Sequence, residues 1–560
     1  MTTRREFIQR SAALAAILPA GWRPAFGQEA LSESLLLDMA PVGNLSIIHV
    51  TDIHAQLRPL HFREPSANLG VGEMKGRVPH ITGRALLDHY GIEPGTPLAH
   101  ALTYDGFDEL ARAFGPMGGL DRIAHVIAAI RAERGAGNCL LLDGGDTWQN
   151  SYTALETAGA DMVELFGLLK TDAMVGHWEF TLGEERVLEL IDRLGFAFLG
   201  QNVRDTDWED PVFDAVAHFE RGGTRVAVIG QAFPYTPIAN PRWMIPNWTF
   251  GIREADIRHQ VEAARADGAE VVVLLSHNGF DVDRKLAGRV EGIDVVLTAH
   301  THDALPEPVV VGDTLVVASG SHGKFVSRLD LDVRDGGVQG WGYRLIPVYS
   351  EVVGSDPEMA AAIERIREPH EADLKEVVGV TETLLYRRGN FNGTMDDLLC
   401  DAMLEVRDAE IALSPGFRWG AAVLPGEIRA EDIYNATAMT YPQCYRTTMT
   451  GEQLHVILED VAENLFNPDP YYQQGGDMVR VGGLAYAIDV GERQGRRITD
   501  MTHLASGQPI EPDREYVVSG WASVNPGTEG PPIWEVAFDY LRGRDSVAPG
   551  GDERIRVTGI

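Results

Sequence analysis

Short apolar runs punctuate the first 300 residues, at 45–50, 139–142, 173–175, 225–231, 271–276 and 295–299. Their length and composition predict strands. Between them, apolar residues recur with helical spacing, as in 121–134, 184–194 and 253–267, which predicts helices. Strand and helix alternating in this way implies an α/β layered domain, and in such sheets ligands gather at the carboxyl ends of strands. A Gly- and Pro-rich stretch at about 62–119 interrupts the pattern and reads as a functional insertion or lid. Segment 357–378 reads as one polar, charge-laced helix within a linker at 355–378. From 379 to 560 the pattern changes to short helices and strands with many turns, a second and smaller α/β domain. No repeat or low-complexity tract is present.

Composition narrows this picture. At 560 residues the chain exceeds what one hydrophobic core usually supports, so at least two domains are expected. With 48 Lys and Arg against 82 Asp and Glu, the formal charge of −34 argues against nucleic acid as a partner. Three cysteines, Cys139, Cys400 and Cys444, are too few for a disulfide framework. Arg4-Arg5-Glu6-Phe7 precedes a weakly apolar stretch and then Ala25-Phe26-Gly27, which resembles a twin-arginine export signal over 1–27. That predicts a periplasmic protein beginning near Gln28, with the catalytic domain over 28–354. No later run of about 20 apolar residues predicts a membrane span.

Candidate chemistry falls in five polar clusters: Thr51-Asp52-Ile53-His54, Asp143-Gly144-Gly145-Asp146-Thr147, Val175-Gly176-His177-Trp178-Glu179-Phe180, Ser276-His277-Asn278 and Thr298-Ala299-His300-Thr301-His302-Asp303. Each follows an apolar strand-like run, so all five are expected on one edge of the sheet. Carboxylates and imidazoles brought together there repel or lie unsatisfied unless a cation joins them. Mixed carboxylate and imidazole ligands without thiolate suit Mn, Fe or Zn, and a carboxylate shared between two clusters can bridge two ions. Such a pair is machinery for hydrolysis at a tetrahedral phosphorus or sulfur centre.

In their order, DxH, GGD, GHxE, H and HxH, these motifs resemble the calcineurin-type metallophosphoesterases. The whole length, with its linker and second domain, resembles the 5′-nucleotidase branch. The resemblance implies a four-layer αββα catalytic domain and a C-terminal domain that helps close on substrate. It also implies two divalent ions, one held by Asp52, His54, Asp146 and His302, the other by Asp146 as a bridge with His177, His277 and His300. The phosphatases read Gly-Asn-His-Glu-Phe-Asp where this chain reads Gly176-His177-Trp178-Glu179-Phe180-Thr181. His thus stands at the ligand position, and the catalytic His and Asp are replaced by Trp178 and Thr181. The nucleotidases' first C-terminal substrate loop becomes Ser414-Pro415-Gly416-Phe417-Arg418-Trp419, which keeps only the Arg.

That combination, with His54-Ala55-Gln56-Leu57 and the inserted His61-Phe62-Arg63-Glu64-Pro65, resembles the SoxB thiosulfohydrolases over essentially the whole chain. The resemblance implies two manganese ions, Mn(II), and a periplasmic activity that releases sulfate from the cysteine-bound S-thiosulfonate of the SoxYZ carrier. The alternative is a periplasmic 5′-nucleotidase or related phosphoesterase. A monomer is expected in the free state. Asp146, Arg418 and Trp178 are the candidate catalytic residues, with Arg418 pairing with sulfonate oxygens and Trp178 shaping the pocket. Trp419, Tyr471 and Tyr472 either flank a channel or pack. Glu179 is expected to be structural, and Asp143 and Asn278 to orient Asp146 and His277.

Overall fold

A computed structural model describes residues 31–550 and 554–559, and the expected export signal lies outside them. The first sheet runs in the order Gly337–Pro347, Phe325–Arg334, Leu45–Val50, Cys139–Asp143, Ala173–Met174, Ala197–Phe198. The second runs Val309–Val311, Thr314–Ala318, Val295–Thr298, Val271–Ser276, Thr224–Gln231, Val216–Arg221. Their central strands pair parallel, and parallel strands are covered on both faces. Alternation along single strands assigns the layers. Leu45 and Ile47 meet Val226, Val228, Val271 and Val273 between the sheets, while Ile48 packs outward with Ile123 and Val126 of helix Leu120–Arg134. On the far side Val272 and Leu274 pack with Ile257 and Val261 of helix Glu254–Ala266. The result is the four-layer αββα sandwich. Among the described residues no helix is long and apolar enough to cross a membrane.

Two expectations about layout need correction. The five polar clusters do not share one sheet: three end strands of the first sheet and two end strands of the second. Face-to-face stacking brings the two strand-end rows together. Segment 357–378 is not one helix. Asp356 caps a helix over Pro357–Arg367, and Pro369 then forces a 3-10 turn at Glu368–His370 because it lacks an N–H and clashes with the preceding turn. After a short helix at Glu371–Leu374, the chain enters strand Val377–Thr381, where β-branched residues suit the pairing with Gly426–Arg429.

Beyond it stand two four-stranded sheets, ordered Cys444–Thr450, Glu515–Trp521, Ile411–Ser414, Arg480–Gly482 and Gln508–Pro509, Ile498–His503, Leu484–Asp489, Ile555–Thr558. A buried ion cluster organises this part. Asp396 accepts from Arg387 Nε at 3.3 Å and Ser414 Oγ at 3.1 Å, and Arg480 Nε lies 3.5 Å away. Removing one partner from such a cluster leaves uncompensated buried charge. Asp396→Ala is therefore expected to lower unfolding free energy by about 3–5 kcal/mol, read as a shifted urea midpoint. A shift below about 1 kcal/mol would show that solvent reaches the two guanidinium groups.

The insertion at 62–119 is a packed part of the molecule. Helices Gly83–Tyr90 and Pro97–Leu102 bury Leu86, Leu87, Leu98 and Leu102 in the core beneath the first sheet. The segment at its entrance runs between the two halves of the chain. His61 bridges to Ala422, and the Arg63 guanidinium lies over the rings of both Tyr104 and Tyr386. The amide of Asn390 donates to the Ala67 carbonyl at 3.1 Å. Buried Lys324 anchors the same segment through Glu64 at 2.5 Å and the Phe62 carbonyl at 3.2 Å. All three cysteines are buried and unpaired.

Candidate metal centre

The loop after Leu45–Val50 and the loop after Cys139–Asp143 lie against each other. The amide of Asp52 donates to the Gly145 carbonyl at 2.9 Å, and that of His54 to the Asp146 carbonyl at 2.8 Å. Contact this close requires glycine. A Cβ on Gly144 would stand 2.2 Å from Thr51 Oγ1, and Gly145, at φ +88°, would place one 2.7 Å from the Val175 carbonyl oxygen. Asp52, His54, Asp146, His300 and His302 all adopt positive φ, between +50° and +72°. Such backbone is unfavourable for non-glycine residues and persists where surrounding structure imposes it, a pattern that clusters at functional sites.

The structure brings all seven predicted ligands together in two buried groups that share Asp146. One is Asp146, His177, His277 and His300, the other Asp52, His54, Asp146 and His302. Hydrogen bonds outside the groups assign the tautomers. His54 Nδ1 faces Asn150 Oδ1 at 2.8 Å, His277 Nδ1 faces the Gly144 carbonyl at 2.6 Å, and His177 Nε2 faces Asn240 Oδ1 at 3.2 Å. Each acceptor takes the ring proton and leaves the inward nitrogen with a lone pair. Those inward atoms face more acceptors. His177 Nδ1 lies 3.2 Å from both Asp146 Oδ2 and His277 Nε2, and His54 Nε2 lies 3.0 Å from His302 Nε2, which is 3.3 Å from Asp52 Oδ1. Lone pairs converging without protons between them are what a cation satisfies, so the donor set fits a metal pair. His177 does so through Nδ1, an atom placed on the side chain as an Asn Oδ1 is.

Burial pulls the His54 imidazole down to about 4 and pushes the Asp52 carboxyl up to about 7. His300 and His302 are held well below the usual imidazole range, again by burial. Burial alone would raise Asp146, but His177 and His277 overrule it and keep this carboxylate ionised. Burial alone would lower His277, but Asp146 and Asp52 overrule it and push the imidazole up to about 10, so that a proton holds the place a cation would take.

The surrounding residues sort by what they touch. Glu179 accepts from the amides of Thr147, Trp148 and His177 at 2.7, 3.1 and 2.8 Å, which ties two ligand loops together. Asp143 holds Gly145 and Thr147 rather than Asp146 itself. The Asn278 side chain does not bond the His277 ring: its amide donates to Asp283 and its carbonyl accepts from Gln231. Trp178 is buried, stacked on Tyr441 and edge-on to Phe417 and Trp419. Trp419 stacks on Phe417, Tyr471 donates to Glu254, and Tyr472 is exposed. Arg418 is partly buried and donates to the carbonyls of His300 at 3.0 Å and Gly476 at 2.6 Å.

Sequence reasoning missed Asn150 and Asn240, the proton acceptors of His54 and His177, together with Arg388 and His322. Arg388 donates to the Thr301 carbonyl at 2.9 Å, and the His322 ring lies 5.3 Å from that of His54. For His322 a signal existed: Ser319-Gly320-Ser321-His322 follows the strand Thr314–Ala318, the rule that found the other clusters. Asn240 lies in a loop with no periodicity to mark it.

Residues 377–535 match the family described as 5′-nucleotidase, C-terminal domain. The 5′-nucleotidase of Rattus norvegicus is 24% identical over 489 residues, 79% of this chain and 82% of that protein. Among solved structures, the Thermus thermophilus sulfate thiohydrolase SoxB, in complex with glycerol, superposes with a TM-score of 0.90 at 38% identity, covering 93% of this chain and 98% of that one. A 5′-nucleotidase precursor, also from Thermus thermophilus, shares the fold, with a TM-score of 0.73 at 22% identity over 92% of this chain and 99% of that one. Buried ligand groups, layer order and whole-length likeness agree: the chain is a metallophosphoesterase-fold hydrolase that belongs to the SoxB family, within the 5′-nucleotidase-like branch.

Proposed function

We propose that this chain hydrolyses the S-thiosulfonate carried on a cysteine of the SoxYZ protein, in the periplasm after twin-arginine export, with manganese as the metal. Water oxygen joins the terminal sulfonate sulfur, the sulfur–sulfur bond breaks, and its electron pair leaves with the carrier's sulfane, so that sulfate and a sulfanyl-cysteine are the products. The observation that carries this reading is the replacement of the phosphatase His and Asp by Trp178 and Thr181. The likeness to the sulfate thiohydrolase supports it.

Leaving-group basicity separates the two substrate classes. An alkoxide is about as basic as hydroxide, with water's pKa of about 15.7 as a guide, and departs with the help of a proton donor. A thiol has a pKa of about 8.5 and its sulfur leaves readily as the anion. An indole and a threonine hydroxyl at the donor positions suit the second case. The chemistry that a metal pair supplies between the two groups is an acidified water and neutralisation of charge on the tetrahedral centre. Arg418 fixes the backbone of His300 and turns its guanidinium toward a cleft also lined by Asn68, Leu69, Phe466 and Gly475. Gly475 lets the second domain approach this closely, since a Cβ there would meet His300 Nε2 at 2.6 Å. Guanidinium matches the paired oxygens of a sulfonate.

The test is ion chromatography of metal-loaded protein incubated with thiosulfonated SoxYZ, beside a phosphate assay with AMP. Sulfate release is expected on turnover, with AMP cleaved at least about a hundredfold more slowly, the lower end of what a general acid contributes. Phosphate release without sulfate would select the 5′-nucleotidase reading, which the nucleotidase relatives otherwise favour.

A further inference from the structure

His322 stands beside the metal centre without belonging to either ligand group. Its ring centroid lies 5.3 Å from that of His54 and 5.6 Å from that of His302, and Phe62 of the interdomain segment stacks on it at 4.1 Å. The ring is fully buried. Both nitrogens are engaged. The amide of Gly420 donates to Nε2 at 3.1 Å, so Nε2 holds the lone pair, and Nδ1 carries the proton toward Ser321 Oγ at 2.8 Å. Neither nitrogen is left to ligate a metal or to shuttle a proton. The backbone is engaged as well, because the His322 amide donates to the carbonyl of Asp52 at 2.8 Å. At φ +55° the residue shares the strained backbone of the ligands themselves.

One residue thus joins a ligand loop of the catalytic domain to Gly420 in the second domain, two positions after Arg418. We propose that His322 is a positioning residue for the hydrolysis, setting the loop 415–423, and with it Arg418 and Trp419, against the metal centre. The link is specific to an acceptor at Nε2. An apolar side chain of similar size would leave the buried Gly420 amide without a partner. The same loop is held from other sides: the Trp419 carbonyl accepts from Arg387 Nη1 at 3.2 Å, and the Ala422 amide donates to the His61 carbonyl at 2.6 Å. Arg418 itself reaches the His300 carbonyl at 3.0 Å, and the contact at Gly420 adds a second link, through His322, to the loop that carries Asp52 and His54. The role rests on the metal centre being the reacting site and holds for either substrate reading.

Two polar variants of the full metal-loaded chain test it. In His322→Gln the side-chain oxygen reaches the place of Nε2, whereas in His322→Asn it stands at the place of Nδ1 and stops short of Gly420. His322→Asn is expected to lose hydrogen-exchange protection in the peptide carrying Gly420, and to lose about tenfold or more in kcat/KM on thiosulfonated SoxYZ with metal content unchanged. His322→Gln is expected to restore both. Wild-type protection at Gly420 in the Asn variant, a Gln variant no better than Asn, or an activity loss that tracks metal loss would each overturn the assignment. Exchange protection needs no substrate, so failure of the proposed sulfonate chemistry would show as an inactive wild type while the exchange comparison still decides the role of His322.

Discussion

Asp146→Asn should abolish turnover and deplete both halves of the metal centre. The orientation of the new amide is forced. Trp178 donates its backbone N–H to Oδ1 at 2.8 Å, so the Asn carbonyl stays there and the NH2 group takes the place of Oδ2. That oxygen lies 3.2 Å from His277 Nε2 and 3.9 Å from His54 Nε2, one from each ligand group. Two N–H bonds then point where a shared anion stood. The loss in kcat should exceed the ~10²–10³ that removal of a single oxyanion-stabilising donor costs, because charge and bridge disappear together. Metal analysis and turnover measured on the same sample check this. A variant that keeps its full metal content and a tenth of wild-type activity would show that Asp146 does not bridge.

Restoring the missing proton donor is the second large effect. Trp178 and Thr181 lie on the 3-10 turn Trp178–Leu182, where side chains three apart eclipse. The Thr181 hydroxyl already donates to the Trp178 carbonyl at 2.8 Å, and Gln149 Nε2 donates to both groups. In Trp178→His with Thr181→Asp, the carboxylate inherits the Gln149 amide and can orient the imidazole. AMP hydrolysis should rise by about 10²–10⁴, the range of general acid catalysis, while sulfate release from the thiosulfonate gains little. Loss of the Trp178 contacts with Tyr441 and Phe417 should lower stability, so thermal unfolding of the double variant belongs beside the assay. No gain with AMP in a folded, metal-loaded variant would break the link between leaving-group basicity and the absent dyad.

What could be read from the chain follows from how local each cause is. Strand ends carrying Asp52, Asp146, His277 and His300 were visible because an apolar run followed by a polar cluster is a short-range pattern. The face-to-face pairing of two sheets was not, since Leu45 and Val226 meet only through tertiary packing. The break at Pro369 was legible in principle, but charge periodicity on both sides masked it. Asn150 and Asn240 decide which nitrogen of His54 and His177 faces inward, and nothing near either asparagine announces that. Arg418 reads from the sequence as a sulfonate partner, and in the structure two of its donors are held by backbone carbonyls.

The buried cysteines carry a consequence for a protein that would meet reactive sulfur. Thiol–disulfide and thiol–sulfane exchange both need a thiolate that can be reached. Burial pushes the Cys444 thiol up to about 12, Cys400 well above its ordinary value, and Cys139 upward as well. All three stay protonated at neutral pH and shielded from solvent. A persulfide arm entering the cleft beside His300 would find carboxylates, imidazoles and a guanidinium, and no competing sulfur nucleophile among the described residues. The carrier's sulfane would leave on the carrier that brought it, and the hydrolase would be spared covalent poisoning by its own substrate.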